Sequence, residues 1–298
     1  MNRKLWLPAL FLGATLFTSC SGTDEQEIYD DGFGASSSLN SSSVSCTGVI
    51  SGGYYNGIDS CATGTTLKSA LHNLIDGHAD KGYDGLYETY KTSDTDHYYE
   101  NDGTILDMYS EKSSGADSYN FTHGNAQCGS YSSEGNCYNR EHIIPQSFFN
   151  ENLPAKSDAH FIPPTDGFVN NKRSNYPFCE VDSPTWTSTN GSRLGPCATS
   201  GGDSQTSFEP IDEFKGDIAR MVFYFSVRYY TEDTGWDDTT WTTGAALDSW
   251  FEALMRTWHE NDPVSPRERD RNDAIYARQN NRNPFIDHPE WVNQISDF

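Results

Sequence analysis

Apolar residues recur at helical spacing in three parts of the chain. Leu67, Ala70, Leu71, Leu74 and Ile75 line one face of a segment that ends near Gly77. Phe214, Ile218, Met221, Val222 and Phe225 form a second stripe, and Leu247, Trp250, Phe251, Leu254 and Trp258 a third. Steps of three and four residues gather such side chains on one side of an α-helix. Residues 266–280 read as a further, charged helix carrying Arg267, Arg269, Arg271 and Arg278. Residues 104–109 (TILDMY) read as a short strand. Ile143-Ile144 suggest another that stops at Pro145, because proline has no N–H for a ladder. Residues 110–140 are rich in Ser, Gly and Asn and predict a loop. There is no internal repeat and no clean boundary after residue 46. The pattern therefore predicts one mixed, mainly helical α+β domain over residues 46–298.

The first 45 residues break this pattern. Arg3 and Lys4 precede an apolar run over 5–17, followed by Thr18-Ser19-Cys20. That run is too short to span a bilayer comfortably and has the layout of a secretory leader. Small residues before Cys20 resemble a bacterial lipoprotein cleavage site, although Phe17 stands where Leu is the commoner choice. On this reading residues 1–20 are a lipoprotein signal peptide and Cys20 becomes the acylated first residue. The alternative is an ordinary signal peptide with a coincidental cysteine. Residues 21–45, with Asp24-Glu25-Gln26-Glu27 and serine runs, read as a flexible acidic tether. The expected location is outside the cytoplasm: lipid-anchored at the outer membrane or cell surface, or secreted or periplasmic. Acyl chains on Cys20 would supply the membrane contact, at ~0.8 kcal/mol per buried CH₂.

Composition narrows the function. With 20 Lys+Arg against 43 Asp+Glu, the net charge is −23 over 298 residues. A basic domain that coats phosphates by bulk attraction is excluded. Any polyanion must be held by a local cluster or by a metal. Apart from Cys20 there are six cysteines, an even number that favours disulfides in an exported chain. Fifteen pairings are open; a sequential one would staple three local loops. No CxxC is present, which disfavours a zinc ribbon.

Chemistry concentrates at residues 138–178. Arg140, Glu141, His142, Asp158, His160, Asn170, Asn171, Lys172, Arg173 and Asn175 crowd this stretch. Adjacent strand residues point to opposite faces, so Glu141 and His142 share a site only at a strand end or bulge. The chain contains no HExxH, GxSxG or GxxxxGK[ST]. Asp158-x-His160 with Glu141 and His142 could in principle hold zinc, but a structural Asp–His contact is the plainer reading.

These residues carry a resemblance. Arg140-Glu141-His142-Ile143-Ile144-Pro145, then Asp158-x-His160-x-x-Pro163, then Val169-Asn170-x-x-Arg173-Ser174-Asn175 resemble the core of the bacterial endonuclease I family. Leu71-His72-x-Leu74-Ile75-x-Gly77-His78, Asp107-Met108-Tyr109-Ser110, the 209–217 segment and Asn281-Arg282-Asn283-Pro284-Phe285 resemble other family segments in the same order. The resemblance spans roughly residues 65–296. It implies a ββα-metal (His-Me finger) core and a metal-dependent, largely sequence-nonspecific endonuclease. Such an enzyme cleaves DNA, or RNA, and leaves 5′-phosphate ends.

Carried over by position, His142 matches the general base, and Glu141 and Asn170 match the metal ligands. One ion per site is implied, Mg²⁺ first, with Ca²⁺ or Mn²⁺ as alternatives. One carboxylate facing a +2 ion leaves the site net positive, so an anionic phosphate can bind an acidic protein. Arg173 and Arg140 are candidate phosphate contacts, with pairing to a structural acid as the alternative for Arg140. Arg278 and Arg282 are candidate groove residues, against salt bridges to Glu268, Asp270 and Asp273. Asp158 and His160 are expected to hold the core together. Lys156 and Phe168 depart from the family pattern, at positions that could affect how His142 is oriented or how DNA approaches. A monomer is expected. The competing reading is a surface lipoprotein that binds glycan or protein with a degenerate nuclease core.

Overall fold

The computed structural model describes residues 46–298. The expected leader, tether and lipidation site at Cys20 lie outside the described residues. In chain order the main helices are α1 (Gly64–Ile75), α2 (Gly85–Ser93), α3 (Gly167–Arg173), α4 (Lys215–Tyr229), α5 (Ser249–Asn261) and α6 (Pro266–Gln279). Strands β1 (Tyr138–Arg140) and β2 (Pro164–Asp166) pair antiparallel. Strands β3 (Trp186–Thr187), β4 (Arg193–Pro196) and β5 (Thr206–Glu209) make a small antiparallel sheet. The fold is α+β.

Helix α4 is the axis of the molecule. All fifteen of its residues are buried, because Ile218, Ala219, Met221, Val222, Phe223, Phe225 and Val227 make it apolar nearly all round. Helices α1 and α5 pack against it. Most of its polar side chains find partners in the interior, although the Ser226 hydroxyl has none among the described residues. The Arg220 guanidinium meets Glu268 of α6 through two bonds, Nε to Oε1 at 2.5 Å and Nη2 to Oε2 at 2.8 Å. Glu268 also closes a capping box with Ser265 at the start of α6, where Pro266 fits the first turn.

The helical stripes appear where the spacing put them, except that Phe214 caps α4 and Leu247 lies before α5. The strand expectations need correction. Residues 104–109 form no ladder strand, and Ile105 makes one isolated bridge to Thr95. The Asp107 carboxylate turns the chain by accepting the Tyr109 N–H at 2.8 Å. Ile105, Leu106, Met108 and Tyr109 are all buried, so both faces are covered by packing rather than by strand neighbours. The regular strand near Ile143 lies just upstream, at 138–140. Pairing then continues irregularly, with Glu141 N donating to Pro163 O at 2.9 Å and Ile143 N to Phe161 O at 3.3 Å. The disulfides are sequential: Cys46–Cys61, Cys128–Cys137 and Cys179–Cys197.

Asp158 ties the segment leading into β2 to the helical core. Its Oδ2 accepts from Tyr224 at 2.7 Å and Tyr229 at 2.8 Å. Its Oδ1 accepts from Gln279 of α6 at 2.9 Å and from His160 N at 3.1 Å. Burial alone would raise its pKa, but His78, His160 and these donors hold it at about 2. A carboxyl whose folded pKa lies below its unfolded value stabilises the fold above the unfolded value and loses that contribution as pH falls through the folded one. Asp158→Asn should therefore cost roughly 2–3 kcal/mol near pH 6. In urea unfolding measured from pH 6 to pH 2, the gap to the wild type should close between about pH 4 and pH 2. A gap independent of pH would refute a charge-based role.

Candidate active site

The site grows from the β1–β2 pair and the helix after it. Asp166 ends β2 and caps α3, its Oδ1 accepting the N–H groups of Phe168 and Val169 at 2.8 Å each. Position 167 must be glycine: a Cβ there would lie 2.7 Å from Cys128 Sγ and 2.9 Å from the Tyr131 ring. The Cys128–Cys137 bridge thus sits against the first turn of α3, and Gly167 N donates to Cys137 O at 2.8 Å. Val169 and Arg173, four residues apart, face inward. Asn170, one position on from Val169, lies at the border of the buried face.

Glu141, His142 and Asn170 line one polar cavity of about 220 Å³, together with Tyr83, Asn139, Arg140 and Arg173. Neighbouring strand residues share it because β1 ends at Arg140, immediately before the Glu141-His142 pair. A larger cavity of about 340 Å³, walled by Tyr54, Tyr55 and Trp291, contains none of the expected site residues.

Glu141 is fully buried. Its Oε1 accepts from the Tyr109 hydroxyl at 2.9 Å and lies 3.4 Å from Arg173 Nη1. Oε2 has no hydrogen-bond donor among the described residues. Burial pushes the carboxyl up to about 7, against the opposing pull of Arg173 and Tyr109. A cation at Oε2 would favour the ionised form. Asn170 Nδ2 donates to Asn139 Oδ1 at 2.7 Å, with Arg140 O at 3.4 Å, which leaves the amide oxygen free of that contact. A carboxylate oxygen and an amide oxygen are the donors a hard divalent ion takes, so the residues present fit such an ion.

His142 is also buried, beside Tyr83 and Phe149. Burial drives its pKa down to about 3, although the Lys156 carbonyl pulls the other way. The imidazole is therefore neutral near pH 7. Nε2 faces Lys156 O at 3.4 Å. A carbonyl only accepts, so the proton sits on Nε2 and Nδ1 keeps its lone pair.

The arginines divide. Arg140 stacks on Tyr83, its guanidinium 3.4 Å from the ring centroid, and pairs at 3.1 Å with the solvent-exposed Asp84. An ion pair to so exposed a partner is weak, and Arg140 Nε has no partner. Arg173 departs from the expected phosphate contact. It is 1% exposed, and it donates to His142 O at 2.9 Å and Ile143 O at 2.5 Å. Its guanidinium fastens α3 to the chain beyond β1. Arg282 also departs from its groove role: Asp287 at 2.6 Å and Asp273 at 2.5 Å take up its charge. Arg278 donates to Thr89 of α2 at 2.9 Å and does not line the cavity. Of the two positions outside the family pattern, Lys156 sends its ammonium to Glu151 at 2.5 Å and offers His142 only its carbonyl. The Phe168 ring faces Tyr131 and Trp186.

Three site residues escaped the sequence reading: Tyr83, Tyr109 and Asn139. Tyr109 lies in the Asp107–Ser110 motif and Asn139 sits next to Arg140, so their positions carried a signal but no role. Tyr83 carried none, because its place depends on Arg140 stacking upon it.

An antiparallel strand pair feeding a helix, with imidazole, carboxylate and amide gathered at the junction, is a ββα unit of the His-Me finger class. The chain belongs to the endonuclease I family, whose model matches residues 63–290. It is similar to an extracellular ribonuclease of Bacillus subtilis (strain 168), 34% identical over 249 residues, covering 81% of this chain and 77% of that protein. It is also similar to an extracellular ribonuclease of Bacillus amyloliquefaciens, 35% identical over 240 residues, covering 78% and 74% respectively.

Lysine cannot reproduce the planar fork that Arg173 offers two carbonyls and a carboxylate. Arg173→Lys should lower stability by roughly 2–3 kcal/mol, read by thermal and urea unfolding. An unchanged melting temperature would show that this contact does not hold the unit together.

Proposed function

We propose that the protein is a metal-dependent, largely sequence-nonspecific endonuclease acting outside the cytoplasm on DNA, with RNA as a second substrate, and leaving 5′-phosphate ends. The observation that carries this reading is the meeting of Glu141, His142 and Asn170 in one polar cavity. RNA is included because both relatives named above are ribonucleases. Export agrees with the three disulfides and with the extracellular relatives. Lipid attachment through Cys20 is part of the same proposal, as is action by a single chain.

Glu141 Oε2 and the Asn170 amide oxygen would hold one divalent ion, Mg²⁺ first and Mn²⁺ or Ca²⁺ as alternatives. When bound, the ion supplies Lewis-acid stabilisation of charge on the phosphate and the leaving oxygen. The remaining work falls to side chains. Neutral His142 takes a proton at Nδ1 from the attacking water, while Nε2–H stays on the Lys156 carbonyl. Arg140, whose Nη1 donates to the Tyr83 carbonyl at 3.0 Å and to the exposed Asp84, can turn its other donors toward a phosphate oxygen. Attack at phosphorus breaks the bond to O3′, which leaves as a hydroxyl after taking a proton from solvent water, and the phosphate stays on the 5′ side.

The competing reading, a binding lipoprotein with a degenerate core, is disfavoured by the intact trio. The test is cleavage of supercoiled plasmid and of single-stranded RNA by the mature protein, with and without EDTA. Both substrates should be cut to 5′-phosphate products, and EDTA should abolish cutting. His142→Ala should lose about 10²–10⁴-fold in rate, and Asn170→Ala should require far more metal. Full activity in His142→Ala, or in EDTA, would overturn the mechanism. With Arg140 as the one side-chain cation assigned to phosphate, cleavage should fall only about threefold as salt rises from 50 to 200 mM; a loss of a hundredfold or more would show that further cationic contacts carry the binding.

A further inference from the structure

The two proposed ligands each have a torsion that could present the wrong atom. An Asn amide turned over offers a cation its NH₂ instead of its oxygen. A carboxylate can likewise rotate a hydrogen-bonded oxygen into the position meant for the ion. In this protein both side chains are gripped from behind. Asn170 Nδ2 lies 2.7 Å from Asn139 Oδ1 and 3.4 Å from Arg140 O, and both of those atoms accept. The amide nitrogen is therefore confined to that side and the oxygen to the other. Asn139 lies on β1 two residues before Glu141, and both line the same cavity. On the far side, the Tyr109 hydroxyl donates to Glu141 Oε1 at 2.9 Å. Tyr109 is itself immobile: it is fully buried, its ring packs 5.0 Å from that of Phe208, and its N–H is held by Asp107.

We infer that Asn139 and Tyr109 are positioning residues for the metal centre. Asn139 fixes which end of the Asn170 amide faces the ion, and Tyr109 occupies Glu141 Oε1 so that Oε2 is the oxygen presented. This inference rests on the reading above that Glu141 and Asn170 are the ligands. Partners of this kind, one shell out from a metal, are worth about 10–100-fold in affinity.

The experiment is a Mn²⁺ titration of the whole mature protein, followed by the electron paramagnetic resonance signal of free Mn²⁺. The variants are Asn139→Ala, Tyr109→Phe, Asn170→Ala, Glu141→Gln and the double variant Asn139→Ala/Asn170→Ala, each with its melting temperature measured in EDTA. Asn139→Ala and Tyr109→Phe should each weaken Mn²⁺ binding about 10–100-fold. In the Asn170→Ala background, removing Asn139 should cost nothing more, since its effect passes through that amide. A folded Asn139→Ala or Tyr109→Phe that binds Mn²⁺ as the wild type does would refute the inference. So would an Asn139→Ala penalty of equal size with and without Asn170. If Asn170→Ala and Glu141→Gln themselves leave binding unchanged, the ligand assignment fails first, and the inference falls with it. Should Tyr109→Phe not fold, Asn139 lies at the cavity border and still decides the question through the double-variant comparison.

Discussion

The ββα unit depends on one buried cation. Arg173 leaves the last turn of α3 and donates to the carbonyls of His142 and Ile143, close to the Glu141 carboxylate. A strand of three residues and a helix of seven have little stability of their own. The guanidinium joins them at the point where three chemical groups must meet. Its charge is compensated at 3.4 Å by the same carboxylate it helps to aim. Removing either partner would leave the other buried and uncompensated, the costly outcome for interior ions. The position that looked like a phosphate clamp is thus the joint on which the rest of the site hangs.

Legibility in the sequence followed the length of each element. Helices α1, α4 and α5 each repeat an apolar stripe over several turns, and α6 is a long charged run, so all four were readable. Strands of two to four residues give no period to count, which is why 104–109 looked like a strand and β3 to β5 left no trace. Motif order located Glu141, His142 and Asn170, and these three do meet in one cavity. The arginines were harder to read, because charge alone cannot tell a group facing solvent from one spent on carbonyls. Arg282 is spent on Asp273 and Asp287, and Arg173 on the backbone. Asn139 and Tyr109 matter only through long-range contacts that sequence spacing does not encode.

Burial sets the state of the chemistry. His142 and Glu141 are adjacent, and desolvation moves them in opposite directions: the imidazole down to about 3, the carboxyl up to about 7. Both shifts disfavour charge. Because Arg140 and Arg173 line the same cavity, it is locally cationic inside a chain of net charge −23. Arg140 and Arg173 each keep an Nε without a partner, and Arg140 is the less buried of the two.

Gly167 and the Cys128–Cys137 bridge press against each other where β2 becomes α3. The sulfur atoms occupy the space that any larger residue at 167 would need. The helix carrying Asn170 therefore starts on a covalent abutment that exists only after two thiols have been oxidised. A chain whose two thiols are still reduced lacks that abutment, so the ββα unit is complete only once it has reached an oxidising space.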